Sequence, residues 1–207
     1  MSDKSRRIDR RASASRNRIA DAMIRLGQER PVDSLTVAEL AAAAKISRST
    51  FYAHFASLGD YLERSFGSMI EGHARAAGRE PAGRGRLLAV DSILAHIGRA
   101  PRYVESISCS RYRPRMLAEG ERRLAIVAEE NLRLLRPDLA PARRAALATF
   151  AAGGFMGLLR TWMESGLARP ADNVEADFEA FARALAAPVQ SSVSIADPER
   201  IRMGRQH

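Results

Sequence analysis

Residues 47 to 54 carry side chains of the types that contact DNA. The run contains one arginine, one tyrosine, one histidine and three hydroxyl residues around a single phenylalanine. If the run is helical, Phe51 and Phe55 lie one turn apart and point inward, which leaves the polar side chains outside. An arginine can hold guanine by two hydrogen bonds in the major groove, and hydroxyl or imidazole groups can bond to phosphate oxygens. The run therefore indicates a recognition helix; the alternative is a small three-helix subdomain with a solvated polar face.

Two short helices and a tight turn are predicted to position that run. Thr36 can cap the first helix, with Glu39 closing a capping box three residues later. One face of this helix carries apolar side chains at helical spacing, namely Val37, Leu40, Ala41 and Ala44. Lys45 and Ile46 make the break before the second helix.

The second helix is predicted over Arg48–Phe55, with Ser47 as its cap. Ser57 can cap a third helix, with Asp60 at the acid position of a second capping box. Contacts to DNA are assigned to the exposed residues of the second helix, its cap and the cap of the first helix. These residues are Thr36, Ser47, Arg48, Ser49, Thr50, Tyr52, Ala53 and His54.

Three strings over Ile19 to Leu62 resemble the TetR-type (tetracycline-repressor-like) transcriptional regulators. They are T-V-A-E-L-A at 36–41, S-R-S-T-F-Y-x-H-F at 47–55 and S-x-x-D-Y-L at 57–62. The resemblance implies an all-α chain of about nine helices, with an N-terminal three-helix helix-turn-helix domain and a C-terminal helical effector and dimerisation domain. Lys45 stands where such regulators usually have a turn glycine, which predicts an unusual turn conformation. Leu58 stands where many have a lysine, so no phosphate contact is assigned there.

The charge of the chain favours a polyanionic partner. Its 207 residues contain 33 Lys and Arg against 24 Asp and Glu, a net charge of +9. Residues 1–20 hold seven of the basic residues and only two acidic ones, so much of the excess lies beside the predicted DNA-binding unit.

Other function classes find little support in the sequence. It has no HExxH pair, no CxxC, no Gly-rich phosphate loop and no nucleophile elbow. We therefore expect no enzyme, no cofactor and no metal site. The charged N-terminus does not resemble a secretory signal, no apolar run is long enough to span a membrane, and Cys109 is alone. These features predict a cytoplasmic protein without a membrane partner.

Four segments are predicted from the pattern of apolar residues and helix breakers. Residues 1–14 are expected to be a disordered basic arm and residues 15–60 the DNA-binding domain. Residues 61–187 are expected to form the helical ligand-binding and dimerisation domain, and residues 188–207 a disordered tail. The first helix is predicted from Ser15 to Glu29.

Dimerisation is predicted through the helices at 141–165 and 173–187. The first carries the longest apolar stripe of the chain and three glycines, Gly153, Gly154 and Gly157. Because glycine destabilises a helix interior by up to about 1 kcal/mol relative to alanine, close approach of another helix would compensate. Packing within one subunit is the alternative. The inward residues of the last helix are predicted to be Phe178, Phe181, Ala182 and Leu185; family resemblance also implies a dimer through the last two long helices.

Together these features predict a homodimeric repressor that a small-molecule effector releases from a palindromic operator on double-stranded DNA. The alternative is a helical DNA-binding regulator without a small-molecule effector, either constitutive or controlled by a protein partner. The operator, the regulated genes, the effector and the sign of regulation stay open. Side chains that could line an effector pocket, none of them assigned, are His73, His96, Tyr103, Cys109, Tyr112, Met116 and Trp162.

Overall fold

The computed structural model describes residues 3–79 and 85–186, with the side chains of 3–12, 77–79 and 185–186 excepted. Over these residues the chain is all-α, as predicted, and contains no strand. The helices are α1 (Asp3–Glu29), α2 (Val37–Ala43), α3 (Arg48–Tyr52), α4 (Leu58–Arg79), α5 (Asp91–Gly98), α6 (Pro101–Ser108), α7 (Arg113–Leu135), α8 (Pro141–Glu164) and α9 (Ala171–Ala186), with a 3₁₀ turn at Val32–Ser34 between α1 and α2.

Helix α1 is longer than predicted. It begins at Asp3 rather than Ser15, so residues 3–14, predicted as a disordered arm, are helical in the structure. Extending an existing helix needs no new nucleus, and the arginines and alanines of this stretch have high helix propensity, so no apolar period is required. The predicted tail at 188–207 lies outside the described residues.

The three predicted N-caps are all present. Thr36 and Glu39 form the full capping box of α2, and the Ser47 hydroxyl accepts a hydrogen bond from the Thr50 amide at the start of α3. At the start of α4 the Ser57 hydroxyl accepts from the Asp60 amide, while the Asp60 carboxylate accepts from Ala56 rather than from Ser57. Local hydrogen bonds therefore fix where each helix of this unit begins.

Helix α3 is shorter than the predicted Arg48–Phe55 and ends at Tyr52. Beyond it the amides of His54 and Phe55 both donate to the Phe51 carbonyl, at 2.9 and 3.0 Å. The chain thus tightens into a last turn after Tyr52 and leaves the helix as Phe55 enters the core.

The turn between α2 and α3 is a Schellman motif, a C-terminal cap that usually has glycine at its left-handed position. The Ile46 amide donates to the Ala41 carbonyl and the Lys45 amide to the Ala42 carbonyl, both at 3.0 Å. Lys45 takes the left-handed conformation, with φ of +53°. The prediction of an unusual turn conformation is wrong: the turn has the ordinary backbone of this motif, and the lysine adopts the conformation suited to glycine.

The end of α8 provides an internal comparison for this turn. There the Leu167 amide donates to the Trp162 carbonyl and the Gly166 amide to the Met163 carbonyl, in the same bonding pattern. Gly166 holds the left-handed position with φ of +67°. The same motif thus has a glycine at one end of the molecule and a lysine at the helix-turn-helix.

The helices after the DNA-binding unit pack most extensively as two pairs, α4 with α7 and α7 with α8. Ion pairs cross the first of these contacts: Glu71 of α4 bonds Arg123 of α7 at 2.7 Å, and Arg75 of α4 bonds Glu130 of α7. Such partly exposed pairs individually contribute little, so apolar packing remains the main stabilising term. No helix of the described residues is long and apolar enough to cross a membrane.

The last two helices contact each other through Phe155 of α8 and Phe178 of α9, whose ring centroids lie 5.4 Å apart. Ala182 is buried as predicted, but the prediction for Phe181 is wrong, because its side chain is 60% exposed. The side chain of Leu185 lies outside the described residues. A helical apolar period predicts which side chains are buried, but it does not show whether the residues that bury them belong to the same chain.

Lys45→Gly should stabilise the protein. A left-handed conformation costs a non-glycine residue about 1–2 kcal/mol, and the added backbone entropy of glycine offsets part of that gain. We expect the free energy of unfolding, measured by urea denaturation, to rise by about 0.5–1 kcal/mol. Lys45→Ala is the control, since it removes the charge but keeps Cβ; an equal gain from that variant would contradict the backbone explanation.

Candidate nucleic-acid interface

An aromatic cluster holds α3 on the body of the N-terminal unit. Phe51 is completely buried and Phe55 nearly so, and both rings contact Tyr61 of α4, with centroids 6.3 and 5.1 Å away. These contacts bury one face of the five-residue helix. The opposite face, from Arg48 to Tyr52, is therefore directed to solvent.

The N-terminal half of this face is built around the Ser47 hydroxyl. Besides accepting from the Thr50 amide at 3.0 Å, it lies 2.8 Å from the hydroxyls of both Ser49 and Thr50. Arg48 is exposed beside this cluster and forms no ion pair with any described residue. The three hydroxyls thus form hydrogen bonds with one another, whereas the N–H donors of the Arg48 guanidinium remain available to a binding partner.

The C-terminal half of the face is more apolar. The Tyr52 side chain is 49% exposed, and its ring stands edge-on to Phe51 at 5.7 Å. Ala53 is exposed, and His54 is half-buried with its ring 6.1 Å from that of Phe55. The packing of these rings sets the direction of the Tyr52 hydroxyl, which extends from a fixed aromatic base.

Thr36 lies at the start of α2, apart from the α3 residues in the chain. Its hydroxyl donates to the Glu39 carboxylate at 2.7 Å and accepts from the Glu39 amide at 3.3 Å. Thr36 is exposed, but its hydroxyl is occupied by the cap. All eight predicted site residues thus belong to one capped unit, and Thr50 and His54 are the partly buried ones.

Three arginines that the sequence did not assign to the site stabilise its carbonyl ends. Arg18 donates to the Lys45 carbonyl at 3.4 Å, and Arg25 donates to the Ala43 carbonyl at 3.3 Å. Arg64 donates to the His54 carbonyl at 2.9 Å, with its guanidinium 5.3 Å from the centroid of the Phe55 ring. Cations satisfy carbonyls that a helix end leaves free, and these side chains also bring positive charge to the edge of the site.

The Glu39 carboxylate in the capping box of α2 has a strongly lowered pKa. Hydrogen bonds from the Thr36 hydroxyl and the Arg30 guanidinium lower its pKa from 4.5 to about 2. The Arg30 contact is an ion pair at 2.6 Å between partly exposed side chains. Because the folded-state pKa is depressed, this carboxylate contributes stability above its ordinary pKa and loses it as pH falls toward 2.

Glu39→Gln should therefore destabilise the protein at neutral pH and not at low pH. Glutamine can still close the capping box but cannot form the ion pair with Arg30. In urea denaturation, the stability gap between parent and variant should close as pH falls from about 4.5 to about 2. Glu63→Gln is the control, because Glu63 forms no ion pair among the described residues. The free energy of unfolding of this variant should stay within about 0.5 kcal/mol of that of the parent. A gap for Glu39→Gln that persists at pH 2 would refute the assignment.

In the part of the chain that the structure describes, no group of three or more His, Cys, Asp or Glu residues could hold a metal ion. The exposed face of α3 presents the Arg48 guanidinium, hydroxyl groups and the Tyr52 phenol on a short helix held by buried aromatic rings.

Comparison with known proteins identifies this unit. Residues 19–58 match the family model described as bacterial regulatory proteins, tetR family. No curated protein sequence matches the chain. The matched segment contains the end of α1, all of α2 and α3, and the predicted site residues, so the resemblance seen in the sequence motifs is confirmed.

Solved structures extend the likeness to the fold of most of the chain. A TetR transcriptional regulator from Rhodococcus sp. RHA1 is 14% identical, with a TM-score of 0.60 over 86% of this chain and 98% of that one. The dihydroxyacetone kinase operon activator DhaS is 14% identical, with a TM-score of 0.57 over 82% and 97%. The TetR family repressor AlkX from Dietzia sp. strain DQ12-45-1b, implicated in biodegradation of n-alkanes, is 16% identical, with a TM-score of 0.51 over 81% and 96%. At these identities the likeness establishes the fold alone.

Proposed function

We propose that this chain, a DNA-binding transcriptional regulator with the N-terminal domain of the TetR family, is a homodimeric cytoplasmic repressor of a palindromic operator. A small-molecule effector releases it from that operator. The observation that carries the proposal is the exposed Arg48 on a capped helix whose other face is locked into the core. Such a helix can enter the major groove without changing its own structure.

The side chains of this face divide by chemistry into readers and anchors. Arg48 has the unpaired guanidinium that can bond guanine O6 and N7 together. The Tyr52 hydroxyl and the Ser47–Thr50 hydroxyl cluster suit phosphate oxygens, which set position without reading sequence. His54, half-buried against Phe55, contributes at the edge. We also propose domain limits of 15–60 for the DNA-binding domain and 61–187 for the C-terminal domain.

Arg48→Ala should weaken operator binding by about 1–3 kcal/mol and relax the preference at one base position in each half-site. The operator is first obtained by selecting bound fragments from the source genome. Fluorescence anisotropy at fixed salt then measures affinity for the operator and for single-base variants of it.

Arg115→Ala is the matched control for Arg48→Ala. Arg115 is also exposed and unpaired among the described residues, but it lies on α7. The substitution Arg115→Ala makes the same change in net charge as Arg48→Ala, and it should leave the base preference of the protein intact. If both variants lose affinity equally and neither loses discrimination, Arg48 is not a reader.

Dimerisation is supported by an apolar groove between α8 and α9. Phe150 is 64% exposed and Phe181 is 60% exposed, although both belong to apolar stripes. The groove that they border is lined by Phe150, Ala151, Gly154, Leu158, Phe178, Phe181, Ala182 and Ala184. A second copy of the same two helices would cover this surface in a two-fold arrangement.

The helix glycines give a second argument for a partner on this face. A Cβ added at Gly154 or Gly157 would meet no described atom within 4 Å, whereas one at Gly153 would lie 3.2 Å from the Glu121 carboxylate. Two of the three glycines thus have no close neighbour among the described residues that would compensate their helix penalty. Close approach of the partner's helix supplies one.

Phe150→Glu combined with Phe181→Glu should convert the dimer to monomers in sedimentation velocity. Each substitution occurs twice in a two-fold interface, and an unpaired carboxylate in an apolar contact costs several kcal/mol. Because both side chains are mostly exposed in the single chain, the monomer should keep its helical circular dichroism.

Leu134→Glu controls for the general effect of placing a carboxylate at an exposed leucine. Leu134 is 81% exposed on α7 and does not line the groove, so this variant should remain dimeric. A doubly substituted protein that stays dimeric would move the interface to another surface. Weakened operator binding in the monomer is expected as well, since two linked heads bind without a second full entropy cost.

We propose repression rather than activation, because a protein bound at the operator blocks access to that DNA without a further contact to another protein. The similar structures named above include both kinds of regulator: DhaS is described as an activator and AlkX as a repressor. The alternative, a regulator without a small-molecule effector, is controlled by a protein partner or acts constitutively. A cavity next to the DNA-binding unit favours the ligand-gated version.

A further inference from the structure

A cavity of about 380 Å³ lies between the DNA-binding unit and the helices that follow it. Helices α1, α4, α5 and α6 form most of its wall, and α7 and α8 each add one methionine. This volume falls in the range of roughly 300–1,000 Å³ that is typical of small-molecule sites. The cavity therefore has room for a ligand of modest size at the junction of the two parts of the chain.

The wall of this cavity is largely apolar and contains no acidic residue. Aliphatic, aromatic and thioether side chains make up its deeper part, including Ile24, Leu62, Phe66, Met69, Ile107 and Met116. Such a wall favours an apolar ligand body, and its methionines can adapt to the ligand's shape. A cationic ligand would find no carboxylate among the lining residues.

The same wall also contains the polar side chains of Gln28, Ser65 and His96, and two further hydrogen-bond donors bear on the choice of ligand. Arg99 is exposed, lines the cavity and forms no ion pair with any described residue. The Tyr103 hydroxyl likewise bonds to no described residue, although burial raises the pKa of this phenol and keeps it protonated. Burial also raises the pKa of Tyr61, whose hydroxyl has Ser65 as a neighbour. Tyr103 is partly buried, so its hydroxyl is a donor that an acceptor in the cavity can reach.

We propose that this cavity is the effector site and binds an amphiphilic monocarboxylate, with its carboxylate at Arg99 and Tyr103 and its apolar body among the aliphatic and methionine side chains. Charge-assisted bonds to a guanidinium are about twice as strong as neutral ones, so the head group selects an anion. The regulatory part of this inference rests on the proposed function, whereas the binding part does not.

The location of the cavity explains how its occupant would reach the DNA-binding unit. Tyr103 packs directly on α1, where a Cβ at Gly27 would come within 2.6 Å of its ring. Farther along α6, the Ser106 hydroxyl accepts from the Val32 amide at 2.9 Å, and just beyond the end of α6 the Ser110 hydroxyl donates to Asp33 at 2.6 Å. Val32 and Asp33 belong to the turn that leads into α2. A ligand that moves α6 relative to α1 therefore moves the segment that carries the helix-turn-helix.

Three probes with one ten-carbon chain test the head-group preference: decanoate, 1-decanol and decylamine. Isothermal titration calorimetry of the full chain, without DNA, should give one saturable decanoate site per subunit. Decanol should bind about tenfold more weakly, since it lacks the charge-assisted bond to Arg99, and decylamine should not bind detectably.

Arg99→Gln should reduce decanoate affinity about tenfold, to the level of decanol, and leave decanol binding unchanged. Arg102→Gln is the matched control: Arg102 is exposed, unpaired among the described residues and lines a different cleft, so decanoate affinity should not change. Tyr103→Phe, which keeps the ring on Gly27, should weaken decanoate binding by severalfold. Equal affinities for the three probes, non-saturable binding, or an unchanged Arg99→Gln variant would overturn the proposal.

Operator binding separates this proposal from the proposed function. Decanoate should release the parent protein from its operator at concentrations that fill the site, and Arg99→Gln should need about tenfold more. Saturable decanoate binding without release would refute the regulatory role of the cavity. Intact operator binding with no decanoate binding would overturn the ligand assignment alone, whereas failure to bind any operator would overturn the proposed function and not the binding result.

Discussion

The burial of Phe51 and Phe55 against Tyr61 is the constraint on which the rest of the structure depends. A five-residue helix cannot hold its conformation alone, because so few hydrogen bonds do not offset the cost of its nucleus. The aromatic contacts fix both its position and its rotation. They also join α3 to the first turns of α4, so the exposed face around Arg48 and the direction of the long helix move as one unit.

The remaining helices can influence DNA binding only by moving that unit as a body. Local hydrogen bonds hold the unit together: a side-chain cap satisfies one amide at the start of each of α2, α3 and α4, and Arg18, Arg25 and Arg64 satisfy carbonyls at the ends. No described bond of α3 leads into the C-terminal helices. Coupling therefore runs through α4, which extends from the unit, and through α6, which bonds the turn at Val32–Ser34.

Local signals in the sequence predicted where α2, α3 and α4 begin, but not where α1 begins or α3 ends. The caps at Thr36, Ser47 and Ser57 depend on residues three apart, so spacing alone predicts them. Phe181 was predicted inward because periodicity identifies an apolar side chain without identifying what covers it. Of the side chains named for a possible effector pocket, only His96, Tyr103 and Met116 line the cavity. Its full outline could not be predicted, since its wall joins residues as distant in the chain as Ala20 and Met163, and Arg99 belongs to no motif.

A ligand changes the equilibrium between two conformations only if it binds one of them more tightly. In the proposed dimer the groove between α8 and α9 is a poor place for such selectivity, because the contact between the two copies would serve there as the fixed reference for both subunits. The cavity beside α1 is better placed, since its shape depends on how far the DNA-binding unit lies from α6. Because coupling free energies are reciprocal, a ligand that favours a wider separation of α1 and α6 must itself bind more weakly when DNA holds the two heads in place.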